Sequence, residues 1–158
     1  MIDNNDEKEG EDMADQEQQI RRMDMPASET MRAAAEDFYR LLYVEHRLGD
    51  ALGTHAAANF VEHNPDLPND PADQVRWFEA RTASNPDFYA DETDWSTRYV
   101  HKFIVGNYLI VHYFMSIGST DRGRMFADFW RFEGDKIAEH WDVVQPVPEK
   151  TESGNPMW

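Results

Sequence analysis

The sequence has no cysteine among its 158 residues. Without this residue the chain can form no disulfide bond, no thiol nucleophile and no zinc–thiolate site. The absence is typical of proteins that work in a reducing compartment, and we therefore expect a cytoplasmic protein. The length predicts one domain with flanking segments, because about 150 residues can bury a core without covalent cross-links.

Basic residues are also scarce. Lys and Arg number 15 against 31 Asp and Glu, so the formal net charge is −16. Residues 1–24 hold nine acids and three bases, a net of −6, which leaves −10 for the other 134 residues. An acidic body repels phosphate backbones and anionic lipids, so we expect no nucleic-acid partner and no membrane partner. Residues 1–26 carry almost no large apolar side chains and are predicted to form an acidic, disordered tail.

Long apolar runs and cofactor signatures are missing as well. The longest apolar stretch, residues 108–115, is far too short to span a bilayer as a helix. The acidic, polar N-terminus is unlike a secretory signal. The sequence contains no phosphate-cradling glycine loop, no G-x-S-x-G and no H-E-x-x-H motif. We therefore expect no cofactor.

Apolar material sufficient for a packed domain is present, since 41% of the residues are hydrophobic and 13% are aromatic. In the first half these residues recur at helical spacing. One long amphipathic helix is predicted to begin after the N-cap Ser28 and to end at Gly49. A second, shorter helix is predicted around residues 50–59. A third is predicted to begin at Pro71 and to end near Ala83.

In the second half the periodicity changes to that of strands. Four runs are rich in β-branched and aromatic residues: STRYVHKFIV, YLIVHYFMSIG, GRMFADFWRF and KIAEHWDVV. Gly106-Asn107 and Gly134-Asp135 mark tight hairpins. The order predicts an α+β domain in which three helices pack on one face of a four-stranded antiparallel meander. A sheet covered on one face can curl around its helices and leave a pocket between the layers.

The last hairpin contains the segment EHWD, residues 139–142, in which four large polar or aromatic side chains follow one another. Two registers are open. With a three-residue loop and a bulge at the turn, Asp128 lies opposite Asp142 and Trp130 lies opposite His140, so all four side chains share the pocket face. With a strict two-residue loop, Asp128 lies opposite Trp141 instead.

The first register would bring two carboxylates together in a partly apolar site. Such a pair splits its pKa values and leaves one group protonated and one ionised near neutrality. That arrangement suits general acid–base chemistry on a carbon acid. Asp142, Asp128 and His140 are therefore the candidate catalytic residues. The structural alternative for Asp142 is a solvated strand residue or an ion pair with Arg131 or Arg98.

Other residues are candidates for substrate binding because they are expected to line the pocket or its mouth: His63, Trp130, His112, Phe126 and Tyr39. His63, in the segment EHNP, has a local turn contact as its alternative. Tyr39 shares a helix face with Tyr43 and has the core as its alternative. His112 falls opposite His101 if Gly106-Asn107 is a two-residue turn. Two histidines without a carboxylate are weak evidence for a metal, and none is predicted.

Two segments, FVEHNPDLPND and GRMFADFWRFEGDKIAEHWDVVQPVPEK, resemble the SnoaL-like branch of the nuclear transport factor 2-like (NTF2-like) superfamily. The resemblance extends from Ser28 to the C-terminus. It implies an α+β cone in which three N-terminal helices pack on a strongly curved antiparallel sheet, with a deep pocket. It also implies a homodimer formed through the outer face of the sheet. The domain is predicted to span residues 27–148, followed by a C-terminal tail, residues 149–158.

In SnoaL-type polyketide cyclases an aspartate near the end of the last strand acts as acid and base in an intramolecular aldol closure, without metal or cofactor. The resemblance places that role at Asp142 and matches the family's polar residue at the pocket mouth with His63. It also favours the register that pairs Asp142 with Asp128, although the cyclases have histidine at the latter position. The implied function is an aldol-type cyclisation, isomerisation or dehydration of a small hydrophobic or carbonyl-containing ligand. A non-catalytic small-molecule-binding module is the alternative.

Overall fold

The computed structural model describes residues 25–84, 95–117 and 121–158. Most of the predicted acidic tail, residues 1–26, therefore lies outside the described residues. None of the helices in the described part of the chain is long and apolar enough to cross a membrane.

Helix α1 spans Glu29–Tyr39 and begins where the sequence predicts, because the Ser28 side chain accepts the backbone N–H of Met31 at 3.2 Å. It continues as one π-helical turn, Arg40–Val44. The prediction of an unbroken helix to Gly49 is wrong. His46 adopts a positive φ of 54°, which ends the helical path.

Helix α2 spans Leu48–His55 and is followed directly by a strand, β1, Ala56–Glu62. The prediction that this helix runs through residue 59 is therefore wrong. The run of alanines favours a helix by intrinsic propensity. Pairing with the last strand overrides that preference, because Ala56 and Glu62 lie in parallel register with Ile137 and His140.

Helix α3 spans Pro71–Ser84, close to the predicted bounds. The carboxylate of Asp70 caps it by accepting the backbone N–H groups of Ala72 at 2.8 Å and Asp73 at 3.1 Å. The first turn of this helix carries the buried side chain of Gln74 towards β1.

The remaining strands are β2, Trp95–Val105; β3, Tyr108–Ile117; β4, Arg124–Glu133; and β5, Lys136–Pro146. The sheet order is β1-β5-β4-β3-β2, in which only β1 is parallel to its neighbour. The antiparallel meander is thus confirmed, and β1 adds a fifth strand to the predicted four.

The β4–β5 hairpin settles the register. The turn has two residues, since Glu133 pairs with Lys136, but the register shifts by one residue at Ala138. Beyond this bulge Asp128 pairs with Asp142. The register that unites the two carboxylates is therefore confirmed, but the three-residue loop predicted with it is wrong, because the extra residue is a bulge inside β5 and not part of the turn.

The side chains of paired residues on neighbouring strands point to the same face, so each residue of the sheet can be assigned to an inner or an outer face. The inner face packs against α1 and α2, and the core between these layers contains Phe38 and Leu52 from the helices and Leu109, Val111, Trp130, Phe132 and Ile137 from the sheet. It is the face that contains the paired residues Asp128 and Asp142. The outer face, which contains Ala127 and Val143, is the opposite one.

The C-terminal segment, residues 147–158, folds back against the sheet. The backbone N–H of Val147 donates to the carbonyl of Gly123 at 3.0 Å. The Trp158 ring packs on Phe114 at 4.5 Å between centroids, and the Arg98 guanidinium lies over it at 5.6 Å. A cleft of about 410 Å³ lies among the residues of this segment.

Candidate active site

Asp128 lies deep in the inner face and retains only 5% of its exposure. Its Oδ2 accepts the hydroxyl of Tyr43, which lies in the π turn, at 2.5 Å. The Tyr43 hydroxyl in turn accepts the indole N–H of Trp130 at 2.7 Å. Tyr113 from β3 also donates a hydrogen bond to the carboxyl group. Asp128 is thus held by side chains from α1's end and from two strands.

Burial raises the pKa of Asp128 to about 6. The charge that His140 can carry and the hydrogen bond from Tyr43 act against this shift, whereas the charge of Asp142 adds to it. Burial also raises the pKa of the Tyr43 and Tyr113 hydroxyls well above the ordinary value, so both remain donors. Asp128 can therefore gain and lose a proton close to neutral pH while its two donors stay protonated.

His140 is buried beside this group and stacks on Trp130, with ring centroids 3.7 Å apart and an angle of 15° between the planes. Its Nδ1 lies 2.8 Å and 3.0 Å from the two carboxylate oxygens of Glu62. The side chain of Glu62 is fully buried. It also accepts the amide of Gln74 at 2.9 Å and the backbone N–H of Asn64 at 2.8 Å.

Asp142 lies on the same face, two residues after His140, and is only partly buried. Its Oδ2 accepts the side-chain amide of Asn64 at 2.7 Å. The predicted structural alternatives have other partners: Arg131 pairs with Glu139 on the outer face, and the Arg98 guanidinium lies over Trp158. Asp142 therefore marks the place where solvent reaches the carboxylate pair.

Two of the predicted substrate-binding residues lie on the inner face, and a third is in contact with it. Trp130 supports His140 and Tyr43, as described above. Phe126 lies opposite Val144 and stacks on Tyr113 at 4.8 Å between centroids. Tyr39 stacks on Tyr43 at 5.4 Å. These three aromatic rings thus contact the two tyrosines that donate hydrogen bonds to Asp128.

The other two lie elsewhere. His63 stacks on Trp141 at 4.6 Å, with its Nε2 3.3 Å from a Glu139 oxygen, and so lies on the outer face. His112 pairs with Ala127 and is also on the outer face. It lies opposite His101, as the two-residue turn requires, with 3.3 Å between their Nδ1 atoms. Strand alternation thus separates both histidines from Asp128.

Four residues of the site were not predicted from the sequence: Glu62, Asn64, Gln74 and Tyr113. The first two depend on β1, in a region where the sequence predicts a helix followed by a loop. Had residues 60–64 been recognised as extended, alternation would have placed Glu62 and Asn64 inward and His63 outward. Gln74 gives no such signal, because a glutamine on an amphipathic helix is usually a surface residue.

In the described ranges, no group of three or more His, Asp or Glu side chains is arranged to hold a metal ion. The carboxylates and the imidazole of the inner face are instead hydrogen-bonded to amides, hydroxyls and one another. The inner face therefore contains several groups that can accept or donate a proton, set in a largely apolar layer.

The architecture is found in proteins of known structure. An NTF-2 like protein of unknown function from Burkholderia xenovorans matches at a TM-score of 0.53 and 14% identity, over 79% of this chain and 90% of its own. A steroid delta-isomerase from Pseudomonas aeruginosa matches at 0.54 and 16% identity, over 82% and 86%. A candidate polyketide cyclase from Acidithiobacillus ferrooxidans matches at 0.52 and 17% identity, over 77% and 92%.

These likenesses confirm the predicted fold class. The chain has the NTF2-like α+β fold, with three helices packed on a curved, mostly antiparallel sheet. No protein-family model matches the sequence, and no curated protein does. Because one fold hosts many unrelated activities, the function has to be argued from the site itself.

Proposed function

We propose that this protein is a cofactor-independent enzyme that moves a proton next to the carbonyl group of a small, uncharged molecule. The observation that carries the proposal is the pairing of Asp128 with Asp142 across the β4–β5 hairpin, on the helix-covered face. One carboxyl group is buried, with a pKa of about 6, and the other is partly open to solvent. Two carboxyl groups in such different environments divide acid and base roles between them.

In the proposed reaction Asp142 takes the proton from the carbon next to the carbonyl, and the substrate becomes an enolate. The protonated form of Asp128 donates a hydrogen bond to the oxygen on which the negative charge develops. The proton then returns to another carbon in an isomerisation. In an aldol closure the enolate carbon attacks a second carbonyl, and Asp142 returns the proton to the alkoxide that forms. In a dehydration the enolate expels the β-hydroxyl group, which takes the proton from Asp142 and leaves as water.

The charges of the inner face support the proposal that the substrate is uncharged. Glu62, Asp128 and Asp142 all lie there, and the ammonium group of Lys102 on the same face is paired with Glu36 at 2.6 Å. A site with this balance repels carboxylates and phosphates. Its aromatic walls favour an apolar, uncharged carbonyl compound.

One observation favours the alternative, a binding module without chemistry. The donors that hold Asp128 are hydroxyl groups of the protein itself, so its hydrogen bonds are satisfied without a ligand. A satisfied network of this kind can serve to fix a pocket wall.

Deuterium exchange distinguishes the two functions. The protein is incubated in D₂O with a panel of uncharged cyclic ketones, and exchange at the carbon next to the carbonyl is followed by NMR. We expect at least one ketone to exchange, and Asp142→Asn to slow that exchange by about 100-fold or more. Asp135→Asn, an exposed change in the β4–β5 turn, is the control and should exchange at the wild-type rate. Full exchange in Asp142→Asn would refute the role of Asp142, and binding without exchange would favour the alternative.

We further propose that the protein forms a homodimer through the outer face, since large apolar side chains there are exposed: Val61, Phe103, Val105 and Val143. The described helices pack on the inner face and leave these residues uncovered. Exposed apolar side chains along one sheet face are typical of an interface.

A further inference from the structure

Glu62 and His140 form a second buried pair on the inner face, beside the Asp128–Asp142 pair. The imidazole Nδ1 lies within hydrogen-bond distance of both Glu62 oxygens, whereas the imidazole Nε2 is buried and has no hydrogen-bond partner among the described residues. A buried polar atom without a partner is uncommon in a folded protein and calls for a physical reason.

The hydrogen-bond donors around Glu62 indicate the protonation state of its side chain. Its two oxygens accept hydrogen bonds from Gln74 in α3 and from the backbone N–H of Asn64, in addition to the contact with His140. A carboxylate can accept from all three donors, whereas a protonated acid would turn one of its oxygens into a donor. The group that faces the imidazole is therefore an acceptor.

Because Glu62 is a hydrogen-bond acceptor, it determines which ring nitrogen of neutral His140 carries the hydrogen. An acceptor at Nδ1 requires the N–H to be there, which leaves a lone pair on Nε2. The opposite tautomer would bring two lone pairs together at Nδ1 and bury an unsatisfied N–H at Nε2, and each of these is unfavourable.

We infer that Glu62 is a positioning residue that holds His140 in the Nδ1–H tautomer, so that the free Nε2 is the atom that takes up and returns a proton in this site. The inference rests on the proposed function for the use of that proton. A general base held in one orientation by a buried carboxylate is a recurrent arrangement in catalytic sites.

The surroundings of His140 suit such a relay. Asp142 lies two residues further along the same face, and the charge that the imidazole can carry acts on Asp128. In the proposed relay the proton that Asp142 takes from the substrate is passed on to the Nε2 lone pair, which no described residue engages in a hydrogen bond in this structure. The imidazolium that results is balanced by Glu62 and stacks on Trp130, whose π face attracts a cation.

The tautomer can be measured on the protein without any substrate. Nitrogen-15 NMR of wild-type protein labelled at histidine distinguishes a protonated ring nitrogen from an unprotonated one, and His140→Gln identifies the His140 signals. We expect His140 to be protonated at Nδ1 and unprotonated at Nε2. An Nε2–H tautomer in the wild type would overturn the inference, and this measurement does not depend on the folding of any Glu62 variant.

The second arm tests the role of Glu62. In Glu62→Gln an amide replaces the carboxylate, so we expect a measurable fraction of the Nε2–H tautomer. The matched control is Glu139→Gln, which removes the carboxylate beside His63 on the outer face and should leave the His140 signals unchanged. An unchanged His140 tautomer in Glu62→Gln would overturn the positioning role.

The third arm links the pair to turnover. With a ketone that exchanges, Glu62→Gln should lower kcat by about 100-fold with little change in KM, because the imidazole remains but is wrongly presented. Full exchange in a folded His140→Gln would overturn the inference while leaving the proposed function intact. Conversely, no exchange by the wild type with any ketone would contradict the proposed function, whereas the tautomer would still be decided by NMR.

Discussion

At the scale of single residues, Asp128 links the chemistry of the site to the stability of the fold. Its pKa is raised from 3.8 in its ordinary state to about 6 in the folded protein, because burial disfavours the charged form. Below a pH of about 4 both states are protonated. As the pH rises from there through 6, the unfolded chain releases this proton before the folded one does, so the folded state loses stability.

The loss amounts to about 3 kcal/mol by neutral pH. The Asp128→Asn variant has no titrating carboxyl group at this position and should not show this loss of stability. We therefore expect the unfolding free energy of the variant, relative to the wild type, to increase by about 3 kcal/mol between pH 4 and pH 7. Denaturant unfolding of both proteins across this range measures the difference. Two stability curves that run parallel would contradict the raised pKa.

Tyr43 is the residue whose hydroxyl connects Asp128 with Trp130. In Tyr43→Phe a buried carboxyl group loses a donor and a buried indole N–H loses its acceptor. The variant should lose about 1–3 kcal/mol of unfolding free energy. In the wild type the hydrogen bond from Tyr43 lowers the pKa of Asp128, so its removal should raise that pKa further. The pH range over which the folded state loses stability should therefore extend to higher pH.

Tyr39→Phe is the matched control for this change. It removes a tyrosine hydroxyl one helical turn earlier and keeps both partners of Tyr43 in place. The same denaturant titrations at several pH values compare the two variants. Equal losses of stability, or an unmoved pH window in Tyr43→Phe, would contradict the role assigned to its hydroxyl.

The residues of the candidate site also show what a sequence can and cannot predict. Strand alternation predicts that Asp128 shares a face with Trp130 and that His140 shares a face with Asp142, but it leaves open the register that joins the two pairs. Glu62 was missed because its strand begins with alanines, whose helical preference is local, whereas the pairing with β5 that overrides it joins residues about 80 positions apart. No local pattern carries information of that range.

At the scale of elements, α3 controls the second partner of Glu62, since its first turn carries Gln74. The cap formed by Asp70 fixes that turn. Asp70→Ala should lower the unfolding free energy by about 1 kcal/mol, and Asp70→Ser should retain most of it, because serine also caps helices. Thermal or denaturant unfolding measures both. Equal losses in the two variants would show that the cap is not the cause.

The bulge in β5 is an element-scale feature that the sequence left open. Either hairpin register satisfied the local turn signals of Gly134-Asp135. The choice depends on which faces of the strands are buried by α1 and α2, since a shift of one residue exchanges every side chain between the two faces. In the observed register Trp130 contacts Phe38 of α1 at 4.8 Å between ring centroids. The alternative register would have turned His140 and Asp142 away from that layer.

At the scale of the whole molecule, the outer face predicts the oligomeric state. Val143 is 63% exposed on β5, and Phe103 is 52% exposed on β2. An interface between two copies related by a twofold axis would bury each of these positions twice. We expect the wild-type protein to sediment as a dimer at micromolar concentration.

Val143→Lys should convert that dimer to a folded monomer, because each new charge would be buried at the interface without a partner. Val44→Lys is the matched control: Val44 is 57% exposed, but it ends the π turn and is not part of the sheet. Sedimentation equilibrium gives the mass of each protein, and circular dichroism shows whether each is folded. A monomeric wild type, or a dimer that survives Val143→Lys, would contradict an interface on the outer face. Dissociation by Val44→Lys alone would place the interface on the helical side of the molecule instead.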